Sequence, residues 1–458
     1  GDALTVTGTG NTQAVYSMSV SPVGQTQLTV FDSAVSTTIR YSDHESLTFD
    51  GLLSFAANSM VNVGTNSLSI GSQTPVDLSG LTLISGGSIH SSSALVLGAS
   101  ESLIGHGLID APLSGEVGSS IQALGDLSIG KANSPVGFAS RGELHTGPHT
   151  VTLLDANQAV LGSLTQLGQP GVAAGTLLAS NGLLIDFGNN VSGWGTLQTP
   201  NDPFKTLMNN GAIAGNSLAE AIELTGYVKG VGSIDNVEIS GTYSPGFSPA
   251  VVYNGSVSYS VDGLTLVELG GTTPGSAGHD QLNHAGQASL GGILQVALID
   301  GFAPQSGQAF VLLTAAGGLT GSFESVELPS APNGTQWQLD AESGQLILRL
   351  LAIEEVPPSV GAVMAGSSQW TTAFIQTLDG SGVMAGNGLG YQLMVGGRTL
   401  PWNNVNRLYV QLSEDVVGVS AATFELRNSV GVVPISVSYD AATFVATIEL
   451  PSALVYSK

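Results

Sequence analysis

The chain has 458 residues, and its 34 acidic against 10 basic side chains leave a net charge of −24. Ten scattered cations cannot form a phosphate-binding patch, which excludes nucleic acid and an anionic membrane surface as natural partners. With 42% hydrophobic and only 10% charged residues and 62 glycines, the chain is the reverse of a disordered one. Its solvent-facing positions must be filled by Ser, Thr, Asn, Gln and Gly, the composition of a large β-surface.

There is no cysteine, so neither disulfides nor a zinc-thiolate centre can staple the fold. No apolar run reaches the length of a membrane span, so membrane insertion is not expected. The first residues are not a charged segment followed by an apolar one, so Gly1 reads as a mature or processed end.

Residues 1–42 alternate apolar and polar, as in Leu4-Thr5-Val6-Thr7 and Ser17-Met18-Ser19-Val20. Period two marks strands with one buried face, and a small antiparallel sheet is expected here as an N-terminal β cap. From 43 to 260 short apolar runs recur, each ended by Gly, Asn or Ser. One series is Leu68-Ser69-Ile70-Gly71, Leu95-Val96-Leu97-Gly98 and Leu127-Ser128-Ile129-Gly130. Another is Gly105-His106-Gly107, Gly193-Trp194-Gly195 and Gly230-Val231-Gly232. Strands this short cannot bury a face alone, but stacked coils pair every backbone group with the coils above and below. Glycine and asparagine supply the corners. At ~20–25 residues per coil the stretch predicts about nine or ten coils, a parallel β-solenoid on the order of 45 Å long.

The run from Gly142-Glu143-Leu144-His145-Thr146 to Ala159-Val160-Leu161-Gly162-Ser163-Leu164 resembles the solenoid modules of large bacterial surface proteins, autotransporter-like and planctomycete-type exoproteins among them. So does Leu224-Thr225-Gly226-Tyr227-Val228-Lys229-Gly230. Gly241-Thr242-Tyr243-Ser244-Pro245-Gly246-Phe247-Ser248-Pro249 is similar to the turn that closes a passenger-type β-helix. Residues 261–352 are expected to add further rungs or a β-rich solenoid cap, with Trp337 packed on it. Residues 353–358, with Pro357-Pro358, read as a linker. Residues 359–458 resemble a bacterial immunoglobulin-like module, with one short helix expected over Ser368–Leu378. The expected fold is thus all-β: a right-handed parallel β-helix with an N-terminal β cap and a C-terminal Ig-like β-sandwich. The chain stops about where such a sandwich would begin its last strand, so an open sheet edge is expected.

Residues that could carry chemistry are scattered. Of seven histidines, only His145 and His149 stand close together, with Glu143 the nearest third ligand and Gly147-Pro148 forbidding a helix between them. The others read as turn or coil-edge residues. No cofactor is expected; a structural calcium ion is allowed for but has no position, since Asp43-His44-Glu45, Asn201-Asp202 and Glu414-Asp415 each lack a further acid nearby. Asp110, Asp155, Asp186, Asp235 and Glu238 are isolated at strand ends, without the basic partners a β-helix polysaccharide-degrading enzyme needs for acidic sugars.

The leading expectation is a secreted, cell-surface structural protein, non-catalytic, that self-associates into a homopolymer or surface layer through β-edges. Leu4, Val6, Leu454 and Val455 are the candidate assembly residues. A carbohydrate-binding adhesin using Trp194, Trp370, Trp402 and Tyr391 against glycans is the alternative, and a β-helix polysaccharide-degrading enzyme the second.

Overall fold

The computed structural model describes the strands of residues 1–60 by their pairing. From residue 61 onward it describes the chain with its side chains, outside positions 66, 72–73, 79, 135, 248, 277, 354–356, 379–387, 394–403 and 455–458. The chain divides into two units, Gly1–Ile353 and Glu354–Lys458.

The first unit is a parallel β-solenoid with three faces. Each coil runs from a first-face strand, such as Glu143–Gly147, through a second-face strand, such as Thr150–Leu153, to a third-face strand, such as Ala159–Leu161. The next coil repeats this with Leu164–Leu167, Gly175–Ala179 and Leu183–Ile185, each paired in parallel with its counterpart. The third face alone stacks twelve strands, from Val76–Asp77 to Ser325–Glu327.

Alternation inside these short strands decides which residues form the core. Leu127, Val151, Leu177, Leu197, Leu224 and Ile239 stand in register on six successive coils, and all are buried. Each such leucine, isoleucine or valine contributes roughly 1.5–3 kcal/mol by leaving water. The residues between them point out. On the third face the outward column, in register from coil to coil, runs Asp77, Val96, Ser114, Ala139, Val160, Leu184, Met208, Lys229.

The glycine-flanked triplets are corners where backbone passes over backbone. Gly105 has φ +139°, and a Cβ there would lie 1.7 Å from the Ile84 carbonyl oxygen of the coil below. Gly195 is alike, with φ +149° and a Cβ 1.8 Å from the Gly175 oxygen.

Each end of the stack departs from expectation in one respect. Ala14–Ser21, Gln25–Asp32 and Val35–Tyr41 form the antiparallel sheet expected over residues 1–42, joined by Leu53–Phe55. Ala3–Thr7 does not join it. That strand pairs in parallel with Ser46–Asp50, which pairs with Ser67–Ile70, so it extends the second face. Period-two alternation is the same for a cap strand and a rung, so the pattern alone could not separate them.

Nor does the Gly241–Pro249 turn close the solenoid. Gly246 N–H donates to the Gly230 carbonyl at 2.8 Å, folding the turn back, and Phe247 is exposed. Stacking then resumes on the third face with Leu264–Leu269, Ile293–Leu298 and Ser325–Glu327. It ends where Gln345–Ala352 adds antiparallel to Ala309–Ala315 and Thr335–Glu342 adds antiparallel to that. Trp337 packs against this end as expected, its ring 6.1 Å from Phe310 and its indole N–H on the Pro329 carbonyl.

The second unit is an antiparallel-sheet domain. Five strands lie in the order Tyr391–Gln392, Val360–Gly366, Val405–Leu412, Val445–Leu454, Ser436–Asp440, over a small core of Val410, Ala446 and Ile448. A hairpin pairs Leu426–Arg427 with Val432–Val433. The expected helix is Thr372–Gly380, with the Thr371 hydroxyl accepting from Phe374 N–H. The last described strand, Val445–Leu454, lies inside this sheet, and its edges are Tyr391–Gln392 and Ser436–Asp440.

Candidate functional site

A concave site lies on the first face, where Gln122, His145 and Gln166 form an outward column on three successive coils. Alternation in Glu143–Gly147 buries Leu144 and Thr146 and turns Glu143 and His145 outward. His145 Nε2 lies 3.0 Å from Glu143 Oε2. The corner beyond is pinned from inside: the buried Thr146 hydroxyl donates to the Gly147 carbonyl and accepts from Gly168 N–H. This fixes Pro148 and His149 at the rim.

Gln122, His145, Pro148, His149 and Gln166, with Gln169 and Pro170, line a cleft of about 440 Å³. Two imidazoles and several amides offer donors and acceptors at close range, and two prolines and the exposed Leu124 offer apolar plates. The cleft suits a neutral polyhydroxylated ligand better than an ion. His145 and His149 do come together here as the sequence suggests. Among the described residues, however, no group of three or more His, Asp and Glu side chains is placed to hold a metal.

Larger by volume is a hollow of about 790 Å³ in the second unit, beside Pro357, Glu414 and Asp415. It is formed mostly by one loop, whose Asp415 already accepts the Tyr439 hydroxyl. A smaller cleft of about 250 Å³ holds Glu238 and Ser258. Glu238 is in register with Glu223, whose carboxylate accepts the hydroxyls of Ser240 and Thr196.

Most of the isolated acids hold backbone, and Asp110 holds a side chain. Asp110 Oδ2 lies 3.0 Å from His90 Nδ1. Asp235 accepts from Ser256 N–H at 2.7 Å, and Asp186 accepts from Phe187 N–H. Asp155 is buried at a corner and accepts from Lys131 N–H, and burial raises its carboxyl above the ordinary range. Asp202 of the Asn201-Asp202 pair accepts from Phe204 N–H; Asp43-His44-Glu45 lies outside the described residues.

The aromatic candidates do not converge. Trp194 is half-buried at its glycine corner, Trp370 meets Phe374 edge-on at 5.1 Å, and Tyr391 sits on a sheet edge. Trp402 lies outside the described residues. Of the assembly residues, Leu4 and Val6 belong to the strand paired with Leu47 and Phe49. Leu454 pairs with Val405 inside the second unit's sheet, and Val455 lies outside the described residues.

One polar group escaped sequence reasoning. In the last coils the core turns polar: Tyr259 continues the buried leucine column, and Tyr243 follows Val228 on the third face. His284 is 2% exposed, its Nε2 3.1 Å from the Tyr259 hydroxyl. Burial holds its imidazole down to about 4. His279 is buried edge-on to Phe310, with only loose approaches to backbone at Gly271 and Val311, and burial lowers it too. Asp280 accepts from Ala250 and Glu268 N–H groups, yet burial pushes its carboxyl up to about 7. These two histidines are core residues rather than coil-edge ones. The sequence shows them only as polar residues among strands, with nothing to mark them as buried.

Among the described residues no helix is long and apolar enough to cross a membrane. No protein-family model matches the chain, and no curated protein is similar to it.

Proposed function

We propose that the chain is a non-catalytic structural protein of the bacterial cell surface, whose solenoid serves as a rigid spacer and which assembles with its own copies. The observation that supports this best is the single continuous core from Val61 to Leu348, which runs through the coils whose side chains are described. Each coil is held by its neighbours on three faces, so the body resists bending as one piece. Twelve third-face strands at ~4.8 Å spacing give a body about 53 Å long. The extracellular placement rests on the resemblance to bacterial exoproteins, autotransporter-like and planctomycete-type, and on the sparse, acidic charge. The Ig-like reading of the second unit rests on that resemblance as well. End-to-end association through strand edges is favoured by Ala3–Thr7, the outermost described strand of the second face. Electron microscopy of native material should reveal filaments or layers. Single rods at every concentration would refute the assembling part.

A second reading, a glycan-binding adhesin, draws on the cleft at Gln122, His145 and Gln166. Its ligands would be neutral sugars, and a glycan array on which the chain gives no signal would remove it.

A further inference from the structure

Among the described residues, the outward column of the third face carries both an acid and a base. Over the eight strands from Val76–Asp77 to Tyr227–Lys229 this column starts on the acid Asp77, runs through Val160, Leu184 and Met208, and reaches the base Lys229, with four more strands stacked beyond. Cations gather around it. Of the five described Lys and Arg residues in the first unit, Arg141 directly follows the strand Ala139–Ser140, Lys205 precedes Leu207–Asn209, and Lys131 lies before the same face. Lys229 is on the face itself, and Arg349 alone is elsewhere, engaged by Asp340 and Glu342. The rims also hold the most exposed aromatic rings of the solenoid, Phe187 at 89% and Phe204 at 94%. On a chain of net charge −24, these cations offset acids such as Glu116 and Asp186 beside the same strands, so a second copy can approach this surface with reduced repulsion.

We propose that two copies pack third face against third face, stacks antiparallel, about a two-fold axis passing between Ala139 and Val160. The column is self-complementary in that arrangement and in no parallel one. Asp77 of each copy meets the partner subunit's Lys229, and Val96 meets Met208. The small Ser114 and Ala139 meet the larger Leu184 and Val160, so short side chains receive long ones. Seven coil steps of ~4.8 Å make a strip ~34 Å long. With a width of ~15–20 Å including the rims, it covers roughly 500–700 Å² per copy, below the ~800 Å² of a standard interface. The pair is therefore a dissociable lateral contact in addition to any end-to-end joining. This inference rests on the reading of the chain as a self-associating structural protein.

The test uses the full chain and charge reversal. In sedimentation velocity over a concentration series, Asp77→Lys and Lys229→Asp should each weaken dimerisation about tenfold or more, since a like-charge pair replaces an attractive one at both ends. The double variant should restore it. Because the chain has no cysteine, Asp77→Cys and Lys229→Cys report proximity directly. A short bismaleimide should link the mixed variants into a dimer and leave either variant alone unlinked. Circular dichroism confirms that each variant is folded. Association that neither responds to the charge swap nor gives the mixed crosslink overturns the lateral interface and leaves the assembly reading standing. A chain that sediments as a monomer throughout overturns both.

Discussion

Acid should weaken the last coils of the solenoid through one side chain. His284 is buried on the Tyr259 hydroxyl, and its pKa falls from 6.5 to about 4. A histidine held below its ordinary value takes up a proton in the unfolded chain before it does so in the folded one. Its contribution to stability is therefore complete above about pH 6.5 and is lost as the pH falls towards 4. The full gap is worth ~3.4 kcal/mol at 1.36 kcal/mol per unit, and about 2 kcal/mol of it is gone by pH 4.5. The perturbation is His284→Phe, which keeps a ring edge-on to Tyr259 and removes the titrating group. Near neutrality the variant should be less stable by ~1–3 kcal/mol, because the Tyr259 hydroxyl loses its buried partner. On acidification from about pH 7 to about pH 4.5 it should lose ~2 kcal/mol less than the parent chain. Urea denaturation read by far-ultraviolet circular dichroism measures both losses. Every other titrating group is common to the two proteins and drops out of the difference. Equal acid-induced losses in parent and variant would refute the reasoning.

Asp280 should act with the opposite sign: raised from 3.8 to about 7, it contributes stability that is present below 3.8 and lost as the pH rises to about 7, up to ~4 kcal/mol. In the same titration, Asp280→Asn should lose less stability than the parent between about pH 4 and about pH 7. Gly105→Ala should destabilise the stack by ~3 kcal/mol or more, because the new Cβ collides with the Ile84 carbonyl and φ is left-handed. A thermal melt should register the drop, and an unchanged midpoint would mean the coils do not approach so closely. Phe310→Ala should cost about 3–5 kcal/mol, since the ring is fully buried against His279, Phe302 and Trp337. Denaturant midpoints measure that loss.

Much of the solenoid is legible from residue spacing. Leu127-Ser128-Ile129-Gly130 states an in-out-in strand and its corner in four letters, and Gly193-Trp194-Gly195 marks a crossing that only glycine tolerates. Among the described residues between 43 and 260 the third face holds nine strands, within the range the spacing predicts. Third-face strands such as Thr242–Tyr243 are two residues long and carry no period of their own. Their place follows from the coil below, which local pattern cannot supply. The same holds for Ala3–Thr7, whose alternation is satisfied equally by a cap and by a rung. His279, Asp280 and His284 were opaque for another reason: they are buried by coils distant in sequence. The cleft was half legible, since His145 and His149 stand near each other in the chain. Gln122 and Gln166 reach it only through the register of neighbouring coils.

The parallel ladder also has a mechanical meaning. Its interstrand hydrogen bonds point along the stack, so tension along that axis loads three faces of a coil together. Opening one coil requires several bonds to fail at once, while a sideways force meets mainly core contacts such as Leu177 and Leu197. A rod built this way is strong in tension and gives way first at its two end coils, where neighbours are missing on one side.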